Sequence, residues 1–181
     1  MAEVFDGIDE RLAEWIAAQP LFFVATAPMS ADGHVNCSPK GLPGTFAVLD
    51  ENEVAYLDLT GSGAETIAHV KENGRIVIMF CAFAKRPRIV RLHGTARVVE
   101  VGSAEFSELA DRFENYLGAR SIVRIAVDRV SDSCGYGVPA MEFVCERENL
   151  HLDHAKRGAE GLKTYRQDNN TVSLDGLPAL P

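Results

Sequence analysis

The sequence predicts a mainly β chain of the α+β class, an antiparallel barrel with a few covering helices. Strand-like runs outnumber helical ones, and neighbouring runs are joined by short turns of the hairpin type. The regular strand–helix alternation that would build a doubly wound parallel sheet is missing. At 181 residues there is enough chain for one domain with a sizeable core.

Ile8, Leu12, Trp15 and Ile16 recur at helical spacing, predicting a helix over residues 9–19 that Pro20 closes. Residues 21–27 are continuously apolar and read as a strand buried on both faces. A turn at 30–33 returns the chain along 34–38, which makes a hairpin. Runs 45–49 and 53–59 flank Asp50-Glu51-Asn52 as a second hairpin, and residues 64–73 read as a helix stopped by Gly74. Two long strands, 75–83 and 88–101, come next, joined through Lys85-Arg86-Pro87. In the second, Ile89, Arg91, His93, Thr95 and Arg97 oppose Val90, Leu92, Ala96 and Val98, which predicts one wet or partner-facing side and one core side. Ser103 caps a helix predicted to run to about Tyr116, with Glu105 in its first turn. Residues 121–130 give a further strand, a polar helix begins near 149, and 173–181 read as an extended tail. The division is therefore a barrel domain, 1–148, and a helical C-terminal extension and tail, 149–181.

The formal net charge is −8, from 26 acidic and 18 basic residues, which argues against general nucleic-acid binding. The acidic N-terminus has no leader pattern, and the longest apolar runs fall far short of a membrane span. A cytoplasmic chain with neither membrane nor nucleic-acid partners is the expectation. Cys37, Cys81, Cys134 and Cys145 are scattered without metal spacing, so reduced thiols are expected.

The chemistry concentrates where residues 54–60 break into Gly61-Ser62-Gly63 and then a helix. A strand ending in such a turn leaves free backbone N–H groups beside the positive end of the helix dipole, a combination that suits a phosphate or another anion. Lys40, after Ser38-Pro39, is the cation that completes such a pocket.

In the order and spacing of these features, over roughly residues 21–130, the chain resembles the pyridoxamine 5′-phosphate oxidase-like superfamily of FMN-binding split β-barrels. The features are a strand ending in a lysine, a strand ending Thr60-Gly61, a helix ending Asn73-Gly74, and two long strands with Gly94 in the second. The resemblance implies an antiparallel split β-barrel of the FMN-binding type, with FMN or a deazaflavin between the subunits of a homodimer. It places cofactor contacts at Val35, Asn36, Cys37, Ser38, Lys40 and Thr60; the turn itself adds Gly61, Ser62 and Thr66. The two basic phosphate positions of that family fall here on Glu65 and Thr66, leaving charge compensation to Lys40 or Arg75. The C-terminal Trp/Arg/His signature of the vitamin B6 oxidases is replaced by Gly176-Leu177-Pro178-Ala179-Leu180-Pro181. The implied function is an FMN-dependent oxidoreductase acting on a small molecule, with a nicotinamide-type electron donor common in the family. The alternative is a non-catalytic module that holds flavin, deazaflavin or haem as a sensor or store, and a third reading is a mere dimerisation scaffold.

Other signals read more plainly. Arg86, Arg88, Arg91 and His93 form a basic cluster, read as an exposed strand face with paired charges rather than a cofactor contact. The small-residue run 131–139 is a tight loop or a lid carrying Tyr136. Cys134 reads as inert, and His151-x-x-His154 with Asp153 as a solvated helix face rather than a metal site.

Overall fold

A computed structural model describes residues 3–84 and 86–181, so Lys85 of the predicted connection lies outside the described residues. The strands are β1 (Glu3–Phe5), β2 (Leu21–Thr26), β3 (Asn36–Gly41), β4 (Phe46–Asp50), β5 (Glu53–Leu59), β6 (Arg75–Cys81), β7 (Ile89–Glu100) and β8 (Ala119–Ser133). The helices are α1 (Glu10–Ala17), α2 (Glu65–Asn73), α3 (Ala104–Ala110) and α4 (Asn149–Asn169), the last made of two helical stretches joined at Gly158, where the backbone is not helical (φ 63°). One antiparallel sheet runs β3-β2-β6-β7-β8-β5-β4, with β1 paired to the far end of β8. Although β2 and β4 lie toward opposite ends of that order, the Phe22 and Phe46 rings meet at 5.0 Å. The sheet has therefore curled into a split barrel around Phe22, Tyr56, Ile78, Phe80, Leu92 and Ile125. Burying each of the phenylalanine, leucine and isoleucine side chains contributes about 1.5–3 kcal/mol.

Both predicted hairpins form, β2 with β3 and β4 with β5. Gly74 ends α2 in the left-handed conformation, as its position predicts. On β7 the alternation carries through Gly94, with Val90, Leu92 and Ala96 all buried, and the register shift there leaves the extra residue, Asp128, on β8. A Cβ on Gly94 would lie 2.1 Å from the Ala126 carbonyl oxygen, so only glycine admits this approach. Beyond it Val99 is buried in a cluster with Phe106 and Leu109 of α3, so that end of the predicted wet side is covered.

Four expectations are corrected. In β2 only Phe22, Val24 and Thr26 are fully buried, so the strand has one core face rather than two. Helix α3 stops at Ala110 because the residues after it turn to grip the loop after β3. There the Glu114 N–H donates to the Gly44 carbonyl at 3.0 Å, and Tyr116 Oη to the Pro43 carbonyl at 2.7 Å. Strand β8 runs on to Ser133, and its Asp132 holds Arg88 at 3.0 Å. The chain end is not an extended tail. Val172 bridges to Pro178, and Ala179 and Leu180 are buried against Ala64, Ile67 and Ala68 of the α2 region.

Within the basic cluster Arg88, held by Asp132, is the one member ion-paired among the described residues. Arg88 also stacks over Trp15, and Arg91 donates to Ser133 Oγ. Among the described residues no helix is long and apolar enough to cross a membrane.

Helix α1 begins where Asp9 accepts the Leu12 N–H at 2.7 Å. Asp9→Ala should lower the unfolding free energy by about 1 kcal/mol, read as a shifted urea midpoint with an unchanged slope.

Candidate functional site

Strand β3 alternates across the sheet edge, so Asn36, Ser38 and Lys40 face one way while Cys37 and Pro39 are exposed on the other. The first three meet Gly61, Ser62, Gly63 and Thr66 around a cavity of about 170 Å³. Ser38 Oγ donates to Asn36 Oδ1 at 2.9 Å, and Asn36 Nδ2 donates to Thr66 Oγ1 at 2.9 Å. This chain of bonds ties the edge strand to the first turn of α2. Among the described residues no side chain caps that helix.

The Lys40 ammonium is turned inward, 2.8 Å from Asp58 Oδ1. Asp58, only 1% exposed, also accepts from Arg120 Nε at 2.6 Å. Burial alone pushes the Asp58 carboxyl up, but Lys40 and Arg120 together outweigh it and hold the group below the ordinary aspartate value. Arg120 lines the cavity from β8, donating to the Gly63 carbonyl at 2.8 Å and to Asn170 Oδ1 at 2.8 Å.

A second guanidinium stands behind the turn. Arg166 of α4 donates to Thr60 Oγ1 at 3.1 Å and, among the described residues, has no carboxylate within ion-pair reach. Burial, and then the nearby Arg120 charge, lower its pKa. His154 donates Nε2–H to the Thr60 carbonyl at 2.9 Å, and Asn170 donates to the Gly61 carbonyl at 2.9 Å. The corner thus holds three cations, Lys40, Arg120 and Arg166, against Asp58 and Glu65. Glu65 does reach the cavity wall, where its Oε1 accepts the Leu174 N–H at 3.2 Å.

The remaining sequence-predicted positions lie elsewhere. Val35 is 74% exposed before β3, and Cys37 is on the outer side of the edge strand. The Thr60 hydroxyl donates to the Gly118 carbonyl and accepts from Arg166, so it is used inside the protein and does not line the cavity. Arg75 points to the Pro28 carbonyl at the other end of α2 and brings no charge to the corner. Tyr136 is 82% exposed and lies beside Phe83 and Pro87, away from the corner. His154 is buried rather than solvated, and His151 stacks on Tyr116 at 5.3 Å. Among the described residues no cluster of three metal-ligating side chains occurs.

Sequence reasoning misses Arg120, Arg166, His154 and Asn170. Arg120 falls just before the strand predicted over 121–130, so no periodicity marks it.

The family model described as pyridoxamine 5′-phosphate oxidase matches residues 8–134. This chain belongs to the pyridoxamine 5′-phosphate oxidase family. A relative from Aspergillus flavus, the pyridoxamine 5′-phosphate oxidase family protein ustO, is 38% identical over 192 residues, covering 97% of this chain and 77% of the relative. Among solved structures, Group A Streptococcus HupZ is 26% identical with a TM-score of 0.54, over 70% of this chain and 99% of that one. A Lactobacillus delbrueckii protein described as a pyridoxamine 5′-phosphate oxidase is similar at 19% identity and a TM-score of 0.52, over 71% and 98% of the two chains. At that identity the likeness is one of fold, and it is the split β-barrel. The family match spans the β3 edge, the turn 61–63 and Arg120, and it stops before Arg166 and Asn170.

Proposed function

We propose that this pyridoxamine 5′-phosphate oxidase family chain binds FMN, or a phosphorylated deazaflavin, by its phosphoryl end at the corner between β3, β5 and α2. The observation that supports it is the placement of two cations, Lys40 and Arg120, on the cavity wall at a helix N-terminus without a side-chain cap, with Arg166 a third cation behind the turn. A cavity of about 170 Å³ suits the phosphoryl group and the adjoining chain. It falls below the ~300 Å³ at which drug-sized ligands are enclosed. The ring system then lies outside the cavity, and a second subunit of a homodimer covers it. Lys40, Arg120 and the N–H groups of the turn hold the phosphate. Asn36, Ser38 and Thr66 orient the polyol chain that joins phosphate to ring, while Glu65 opposes the charge and sets the strength of binding. The flavin, when bound, would supply the redox chemistry of an oxidoreductase acting on a small molecule.

Mass spectrometry of small molecules released from the denatured protein tests the reading, with FMN the expected species. In titration FMN should bind at least ~10-fold more tightly than riboflavin, because hydrogen bonds to a charged phosphate contribute about 1.5–3 kcal/mol. Equal affinity for the two would mean that the corner holds no phosphate. A protein that releases no flavin and takes none up ends the assignment. Bleaching of the bound flavin by NAD(P)H separates an enzyme from a non-catalytic store.

A further inference from the structure

We infer a second binding site, for an uncharged or cationic apolar small molecule, at the open end of the barrel between α1 and the loop 41–45. The cavity there is about 470 Å³, within the ~300–1,000 Å³ range of small-molecule sites. The partly exposed Phe46 ring forms its apolar floor, with the core rings of Phe22 and Phe80 packed edge-on behind it at centroid distances of 5.0 Å and 5.1 Å. Ile16 of α1 and Phe143 of the irregular segment 134–148 wall it. Among the described residues Glu146 is the only charged lining group, so a carboxylate or phosphate ligand is disfavoured. This site takes a different chemical class from the cationic corner.

The rim distinguishes a built site from a packing gap. Leu42 has φ of +79°, and among the described residues it is the only non-glycine in the left-handed region. The loop is held there by its neighbours. Thr45 Oγ1 donates toward the carbonyls of Gly41 and Leu42, and the Pro43 and Gly44 carbonyls are taken by Tyr116 Oη and the Glu114 N–H. Glycine would adopt this backbone without strain. The fold has no need of leucine at that φ, yet its side chain lies on the cavity lip, and the surroundings over-determine the strained conformation that puts it there.

The test is a fluorescence titration with Nile red, a neutral apolar dye, set against the anionic dye anilinonaphthalene sulfonate. Saturable binding of one Nile red per chain is expected, with the anionic dye weaker. Leu42→Gly should weaken Nile red by about 10-fold, since loss of a few apolar carbons from a pocket has that scale, without lowering the thermal midpoint. Ala17→Phe, an exposed position on the cavity lip, should block it as well. Unchanged Nile red affinity in both variants overturns the site, as does a lowered midpoint in Leu42→Gly, which would make the leucine structural. Nile red affinity that rises on dilution, as sedimentation shows copies separating, would make the cavity an interface between chains and overturn it equally.

Discussion

Asp58→Asn is expected to lower the unfolding free energy by about 3–5 kcal/mol, the scale measured when one partner of a buried ion pair is removed. Asp58 is the shared acceptor of Lys40 and Arg120, and Arg120 is itself only 6% exposed. Asparagine keeps the shape and loses the charge, which leaves two facing cations with no carboxylate between them. Like charges at this corner repel, and the buried Arg120, unlike the partly exposed Lys40, has no short route to water. Urea unfolding at neutral pH reads the loss directly. Asp153→Asn is the control, since Asp153 holds Arg157 on the exposed face of α4 and its removal should move the midpoint little. The pH dependence comes from the depressed folded-state pKa of Asp58. Such a group adds stability above its unfolded pKa of ~3.9 and loses it as pH falls through the lower folded value. The gap between wild type and Asp58→Asn should therefore be full at neutral pH and narrow in acid. A gap constant down to strongly acidic pH would mean that the carboxylate is not what the two cations depend on. Added phosphate should restore part of the variant's stability, because an anion in the cavity replaces the missing counter-charge.

The parts of the fold that could be read from sequence are those decided by short stretches. The β2–β3 and β4–β5 hairpins announce themselves through turn residues between apolar runs, and α2 through its spacing and Gly74. The site is half legible for the same reason. Lys40 and the turn 61–63 sit at strand and helix ends, where residue type carries positional meaning. Asp58 and Arg120, by contrast, are 62 residues apart, and Thr60 and Arg166 are 106 apart. No periodicity encodes such a pairing. His154 reads as solvated because α4 is polar on most faces, and its burial depends on Gly118, far away in sequence. The predicted end of α3 fails similarly: apolar spacing continues to Tyr116, but the loop after β3 offers better partners for Glu114 and Tyr116 than another helical turn would.

Gly118→Ala is expected to push the first stretch of α4, before the break at Gly158, off the corner, and the size of the effect depends on His154. A Cβ at position 118 would lie 2.0 Å from Cε1 and Nδ1 of that ring, well inside contact distance. The imidazole is 4% exposed and fixed through Nε2 to the Thr60 carbonyl, so it has no free volume to retreat into. Overpacking of this kind costs about 1–3 kcal/mol. The strain also reaches the cavity. The Gly118 carbonyl accepts both the Thr60 N–H at 2.8 Å and the Thr60 hydroxyl at 2.9 Å, so displacement there shifts the start of the turn that Arg120 and Asn170 hold. FMN affinity should consequently fall in Gly118→Ala along with the thermal midpoint. His154→Ala alone forfeits one hydrogen bond, about 1 kcal/mol, and leaves a gap beside Gly118. Combined, the two substitutions place the new methyl in the space the imidazole vacated. The double variant should then be more stable than the sum of the single losses predicts, by about 1 kcal/mol or more, the coupling expected of side chains in direct contact. Strict additivity would show that α4 slides away without resistance.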